Sequence, residues 1–279
     1  MRISVTVTTH AKLRYWRARI MRIFGLDTRL LAAFYLFAPW FASAQNIPAD
    51  FGSNATRLRT GLFIYQDRNH DGGSVVGSSR ILIRRVGNES DYEFSNLATF
   101  ASGFLGYHSQ RWTAVASTRF RPRSAVLSFL HGNDVAPIFD ITYRAGRATG
   151  FVVPRSSNAA PKKSYVNDSM PADTVDQRID WATVIANDLE VGRHFEFDVY
   201  DPKSGVGHVQ ADVGALSDVH VPAGDFVSYV IDYRIHKANG VEHFRVFASK
   251  ETPRFMLREE FPNGVVTDLV RIENAAPSN

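Results

Sequence analysis

The chain of 279 residues contains no cysteine. That excludes a disulfide framework, a thiol nucleophile and every cysteine-based zinc site. Runs long enough to cross a membrane as a helix are missing too. The uncharged stretch Leu30–Phe41 falls short of the ~20 residues a span needs, and Pro39 interrupts it. There is no G-x-S-x-G nucleophile elbow, no H-E-x-x-H and no G-x-x-x-x-G-K-[ST] phosphate loop. Gly205-Val206-Gly207 lacks the third glycine and the helix of a dinucleotide fingerprint. These absences leave no sequence motif for catalysis, and no catalytic residue, metal ligand or cofactor is expected.

What is present at the start of the chain reads as an export address. Arg2, Lys12, Arg14, Arg17, Arg19, Arg22 and Arg29 precede Leu30–Phe41, and Ala42-Ser43-Ala44 follows. A basic region, a short apolar region and an A-x-A site form a secretory signal cleaved after Ala44. The competing reading is a membrane anchor, which the length of the run disfavours. Met21 would give a better-proportioned start than Met1. The expected location is therefore periplasmic, with no stable membrane anchor.

The address also carries the positive charge. The whole chain is net +4, but beyond residue 44 there are 25 basic and 27 acidic residues, net −2. Without a global positive field, nucleic acid is not an expected partner.

Beyond the leader, β-branched and aromatic residues alternate with polar ones between Gly, Pro and Asn punctuation, which predicts strands almost throughout. The predicted strands are 59–66, 80–86, 91–97, 111–117, 125–130, 139–144 and 148–153, then 194–200, 207–213, 226–236, 241–249, 254–261 and 265–272. Residues 45–56 read as a flexible N-terminal segment and 57–273 as a single β-rich domain. Residues 155–173 read as a long exposed loop and 274–279 as a disordered tail. Asp180–Leu189 predicts a helix, because Trp181, Ile185 and Leu189 fall at i, i+4 and i+8 with Gly192 beyond.

Two hairpins can be registered from their turns. A two-residue Asn239-Gly240 turn sets His236 opposite His243 and puts Ile231, Tyr233, Ile235, Phe244 and Val246 on one face. In the second, a two-residue Asn263-Gly264 turn would oppose Glu259 to Asp268 as a carboxyl pair. A three-residue Pro262-Asn263-Gly264 loop fits better, since it opposes Arg258 to Asp268 and dissolves that pair.

Weak constellations remain. Asp67-Arg68-Asn69-His70-Asp71-Gly72 matches the opening of a calcium loop, but Ser78 stands where a bidentate Glu belongs. His236 and His243 would make only two metal ligands beside Arg234 and Arg245. Aromatic residues make up 12% of the chain and sit on alternating strand faces. A strongly curved sheet with one aromatic face could enclose an apolar cavity, or the same residues could fill a closed core. Trp112, Trp181, Tyr229, Tyr233 and Phe244 are the candidate ligand-binding residues.

The C-terminal half carries Leu189-Glu190-Val191-Gly192-Arg193-His194-Phe195, Val221-Pro222-Ala223-Gly224-Asp225-Phe226, Phe244-Arg245-Val246-Phe247-Ala248-Ser249 and Pro253-Arg254-Phe255-Met256-Leu257-Arg258. In these stretches it resembles an uncharacterised family of exported bacterial domains, the domain-of-unknown-function family numbered 3108 (DUF3108). The family often has Trp where this chain has Phe247. The resemblance implies a mainly β fold, a large curved antiparallel sheet (a half-barrel or open barrel) with one short helix near its concave side. That shape is similar to the LolA/LolB lipoprotein carriers, which hold acyl chains. It implies a hydrophobic ligand or cell-envelope component as partner, by fold-level analogy. An enzyme acting on a small apolar substrate and an envelope assembly protein are the alternatives. The enzyme would need His108, His131 or His194 beside a carboxylate inside a pocket.

Overall fold

A computed structural model describes residues 52–87, 91–104, 107–132, 134–153 and 162–274, with backbone alone at 102–104 and 107. The expected signal at 1–44 lies outside these residues, as does the tail beyond Asn274.

The described chain is mainly β, one fifteen-stranded sheet. The first half is a meander of β1 (Gly61–Arg68), β2 (Val75–Val86), β3 (Asp91–Phe104), β4 (Tyr107–Ser117), β5 (Pro122–His131), β6 (Asp134–Arg144), β7 (Arg147–Val152) and β8 (Ser164–Ser169). The second half begins with the short β9 (Val175–Asp176), a 3₁₀ turn and helix α1 (Asp180–Ile185). It continues through β10 (His194–Asp201), β11 (Gly205–Val221), β12 (Gly224–Lys237), β13 (Gly240–Ser249), β14 (Met256–Glu260) and β15 (Val266–Glu273). Neighbours pair antiparallel, except β9 on β10. The halves meet at the centre, where β1 pairs β15, so the order runs from β8 through β1 and β15 to β9.

That order forces curvature. β8 and β9 lie at opposite edges, yet only residues 170–174 connect them. At roughly 3.4 Å per residue, such a link reaches about 20 Å at most. The sheet therefore rolls up until its edges approach, and side chains bridge the gap. Tyr200 Oη on β10 donates to Asp168 Oδ2 on β8 at 2.7 Å. Tyr143 Oη on β6 donates to Asp176 Oδ2 on β9 at 2.6 Å. Asp176 is fully buried and also pairs with Arg178, whose guanidinium lies over the Phe139 ring.

Period-two alternation sends one residue in two to the concave side. In β1, Gly61, Phe63 and Tyr65 are buried while their neighbours are not. The same alternation buries Phe94, Ile141, Ile231 and Tyr233 in the core.

The structure corrects four expectations. Residues 155–173 are not one loop, because β8 pairs with β7 within them. Ser164–Ser169 is exposed or half-exposed along its length, so no alternation marked it. Ser53 to Thr56, within the segment 45–56 expected to be flexible, is docked. Asn54 N donates to Ala186 O at 3.2 Å, Ala55 N donates to Thr118 O at 2.9 Å, and Ala55 is fully buried. Helix α1 stops at Ile185 rather than Leu189. The carbonyls just past its end are claimed from elsewhere, that of Ala186 by Asn54 N and that of Asn187 by Arg254 Nη1 at 2.6 Å. Finally, Lys237 pairs with Gly240 and Arg234 with His243, so the β12–β13 turn is Ala238-Asn239 and His236 does not face His243. The pairing moved by two residues, which leaves every side chain on its expected face. The β14–β15 register is as expected, with Arg258 opposite Asp268 and its Nε 2.7 Å from Oδ1.

Candidate ligand-binding cavity

Three inner rungs, read across strands, build the floor of a cavity of about 400 Å³. The first runs Glu259, Thr267, Asp67, Gly77, Phe100 across β14, β15, β1, β2 and β3. The next runs Tyr65, Ser79, Ala98, Gln110. The third runs Phe63, Ile81, Asn96, Trp112. Helix α1 sets Trp181 against this floor, with Phe261 and Met256 from the second half completing the wall.

Local bonds fix these positions. Trp181 Nε1 donates to Arg178 O at 3.1 Å, and its carbonyl accepts from Tyr233 Oη at 3.3 Å. Thr267 Oγ1 donates to Asp67 Oδ1 at 2.7 Å. Gly77 makes room for that carboxylate, since a Cβ there would sit 2.7 Å from Asp67 Oδ2 and 2.7 Å from Thr99 O. Asn96 Oδ1 is buried at the wall without a hydrogen-bond partner, an arrangement folded proteins rarely leave unanswered.

The electrostatics of this interior are unusual. Burial, then the charges of Asp180 and Asp67, push the Glu259 carboxyl up to about 8. Its residual surface opens into the cavity, which makes it half-buried by area. Burial pushes Asp180 up to about 7, against a 2.6 Å bond from Trp181 N and the charge of Lys237. Asp67 is raised by burial, with the Thr267 bond opposing. Burial thus favours the neutral form of all three of these carboxyls.

Of the five residues expected to bind a ligand, the structure brings Trp112 and Trp181 to the cavity. Tyr233 is fully buried and stacks on Phe244, ring centroids 4.9 Å apart. Phe244 meets the cavity residue Phe261 at 6.2 Å, so this pair stands behind the wall. Tyr229 lies apart, beneath the Arg254 guanidinium. Asp67, Asn96, Gln110 and Glu259 were not anticipated as lining. The only signal for Glu259 was its place on an apolar strand face.

The calcium reading does not survive. Asp67 lies in β1 and turns to Thr267, whereas Asp71 faces Arg258 at 3.6 Å. Among the described residues no three His, Asp or Glu side chains gather as metal ligands. His194 does meet carboxylates, Asp212 at 2.6 Å and Glu196 at 3.1 Å, but on the outer face and away from the cavity. His108 is exposed. A larger depression, about 670 Å³, lies beside Phe226 and Phe255, but exposed residues Lys250–Pro253 form much of it.

No family model matches the chain, and no curated protein matches it. Solved structures do. A β-barrel-like protein of the domain of unknown function numbered 1849, from Brucella abortus, matches with a TM-score of 0.50 at 9% identity, over 79% of this chain and all of that one. A protein from Bacteroides fragilis described as exported, with a YmcC-like fold, gives a TM-score of 0.35 at 13% identity over 80% of this chain and all of its own. A protein from Parabacteroides distasonis described as a lipoprotein gives 0.36 at 11% identity over 79% of this chain and 99% of its own. Of the three, the Brucella structure alone reaches 0.50, and at 9% identity it speaks to the fold only. The mainly β curved sheet is thus a known β-barrel-like architecture. Among the described residues no helix is long and apolar enough to cross a membrane.

Proposed function

We propose that this is an exported protein that binds a hydrophobic molecule of the cell envelope inside its rolled sheet. The observation that carries the reading is the cavity of about 400 Å³ between the sheet and α1, walled by Trp112, Trp181, Phe261, Met256 and Ile81. Its size falls in the range of small-molecule sites, which are concave, mostly apolar and furnished with a few polar groups. Transfer of apolar surface from water drives binding. Membership in the DUF3108 family and a periplasmic address, cleaved after Ala44, belong to the same proposal and rest on the sequence.

The test is native mass spectrometry of the protein purified from a bacterial periplasm, with lipid extraction of the same sample. The expected result is a mature chain beginning at Gln45 with one hydrophobic molecule bound. Substitution of both Trp112 and Trp181 by Ala removes that molecule. A bare mass from gently handled protein, together with no uptake of an apolar probe, overturns the reading.

A further inference from the structure

The cavity is apolar on most sides and acidic at one end. Asp67 and Glu259 sit two positions apart on one rung, with Thr267 between them. Thr267 has its hydroxyl proton committed to Asp67. Among the described lining residues there is no Lys, Arg or His. We infer that the ligand is an amphiphile with a cationic head, an amine or ammonium on an apolar body, held with its head at Asp67 and Glu259 and its body against Trp112 and Trp181. This inference rests on the reading of the cavity as a hydrophobic-ligand site.

The argument is one of charge and unmet acceptors. A carboxylate or phosphate head would enter as an anion with no Lys, Arg or His in the described lining to pair it, in a space where screening is poor, and only a protonated carboxyl could meet it. A hydroxyl head would hydrogen-bond there without offsetting the burial of the acids. A cation does offset it. Its arrival favours the ionised form of the carboxyls and makes charge-assisted hydrogen bonds, which are short and strong. Among the described residues no hydrogen bond holds the Glu259 carboxylate down. Two indole faces attract a cation independently of the carboxyls.

The acidic end is also built rather than incidental. Gly77 keeps the space that Asp67 Oδ2 occupies, and the nearest obstacle to any larger residue is backbone, the Thr99 carbonyl. Glu259 takes its inward position from the β14–β15 register that Pro262-Asn263-Gly264 fixes. Phe261 N donates to Val265 O at 2.9 Å, and Gly264 N donates to Phe261 O at 2.9 Å.

The experiment compares decylamine, decanol and decanoate on the full protein, by tryptophan fluorescence and calorimetry at neutral pH. The three share a chain and differ in head charge. The expected order is decylamine tightest, with decanoate weaker by about tenfold or more. In Asp67→Asn with Glu259→Gln the three bind within roughly twofold of one another. Circular dichroism and an unfolding curve confirm that the variant is folded, and each single substitution gives about half the effect if the pair together unfolds the protein. Decanoate binding as tightly as decylamine, or a preference that survives both substitutions, overturns the inference while leaving the cavity reading intact. If decanol also fails to bind, the cavity reading itself falls.

Discussion

Glu196 and Glu259 lie on strands of the same half of the sheet, one facing outward and one inward. On the outside, Glu196 meets His194 and Gln210, and the His194 bond lowers its pKa. His194 is raised in turn, its bonds to Asp212 and Glu196 outweighing burial. The same face carries Arg234 bonded to Asp212, and Arg245 within 3.3 Å of both Asp232 and Glu260. On the inside, no cation among the described residues stands beside Glu259, and burial drives it the other way, to about 8. Pairing therefore sets the direction in which these two carboxyls shift, and the described cavity lining offers no cation to pair. Asp176 is the third case, a buried carboxyl group with a cation, Arg178, paired to it.

Removing that exception gives the largest expected effect. Asp176→Ala leaves Arg178 buried without its partner and Tyr143 without its acceptor, and destabilises by about 3–5 kcal/mol. Denaturant unfolding measures it, and a loss below about 1 kcal/mol would mean the seam does not hold the sheet together. Next is Gly77→Ala, which forces Asp67 from its rung against an immovable carbonyl and costs about 1–3 kcal/mol. With Asp67 displaced, the Glu259 pKa falls, which a carboxyl-resolved NMR titration reads directly.

Glu259→Gln comes third. The folded carboxyl binds its proton more tightly than the unfolded one, so its penalty is absent below the unfolded pKa, near 4.5, and complete above about 8. The variant should match the parent near pH 4 and exceed it by about 1–2 kcal/mol near pH 9, discounted for the water that reaches the cavity. Equal stability curves at both values would show that Glu259 is not strained by burial. The smallest effect belongs outside. His194→Ala should change stability by less than about 1 kcal/mol, yet move the Glu196 titration upward. A stationary Glu196 would undo the outer half of the comparison.

Much of this architecture was legible before any coordinates. Thirteen strands announce themselves because one face of each is buried and alternation records it, as in Phe63 and Tyr65 of β1. β8 left no such record, being exposed along its length. The β12–β13 turn shows the limit of local rules. Asn239-Gly240 has the composition of a two-residue turn, but the chain turns at Ala238-Asn239. Parity survived the error, so the face assignments of Tyr233 and Phe244 were right while every opposing pair was wrong. The cavity was half legible. Trp112 and Trp181 follow from aromatic patterning on a strand and a helix. Asp67 and Glu259 do not, because a carboxyl on an inner face becomes remarkable only when the neighbouring strands show that no cation accompanies it. Asp67 belongs to a strand from the other end of the chain, some two hundred residues from its partner Thr267.

The central pairing of β1 with β15 sets an order of events during synthesis. β1 emerges early and finds β2 at once, but its other edge stays bare until the last strand has been made. Both meanders can form from local contacts while the middle of the sheet waits. A newly made molecule therefore exposes an open strand edge at its own centre for most of its synthesis, the kind of edge that recruits foreign strands. Truncation before Val266 would leave that exposure permanent, and a chaperone guarding this protein would have β1 as the edge to cover.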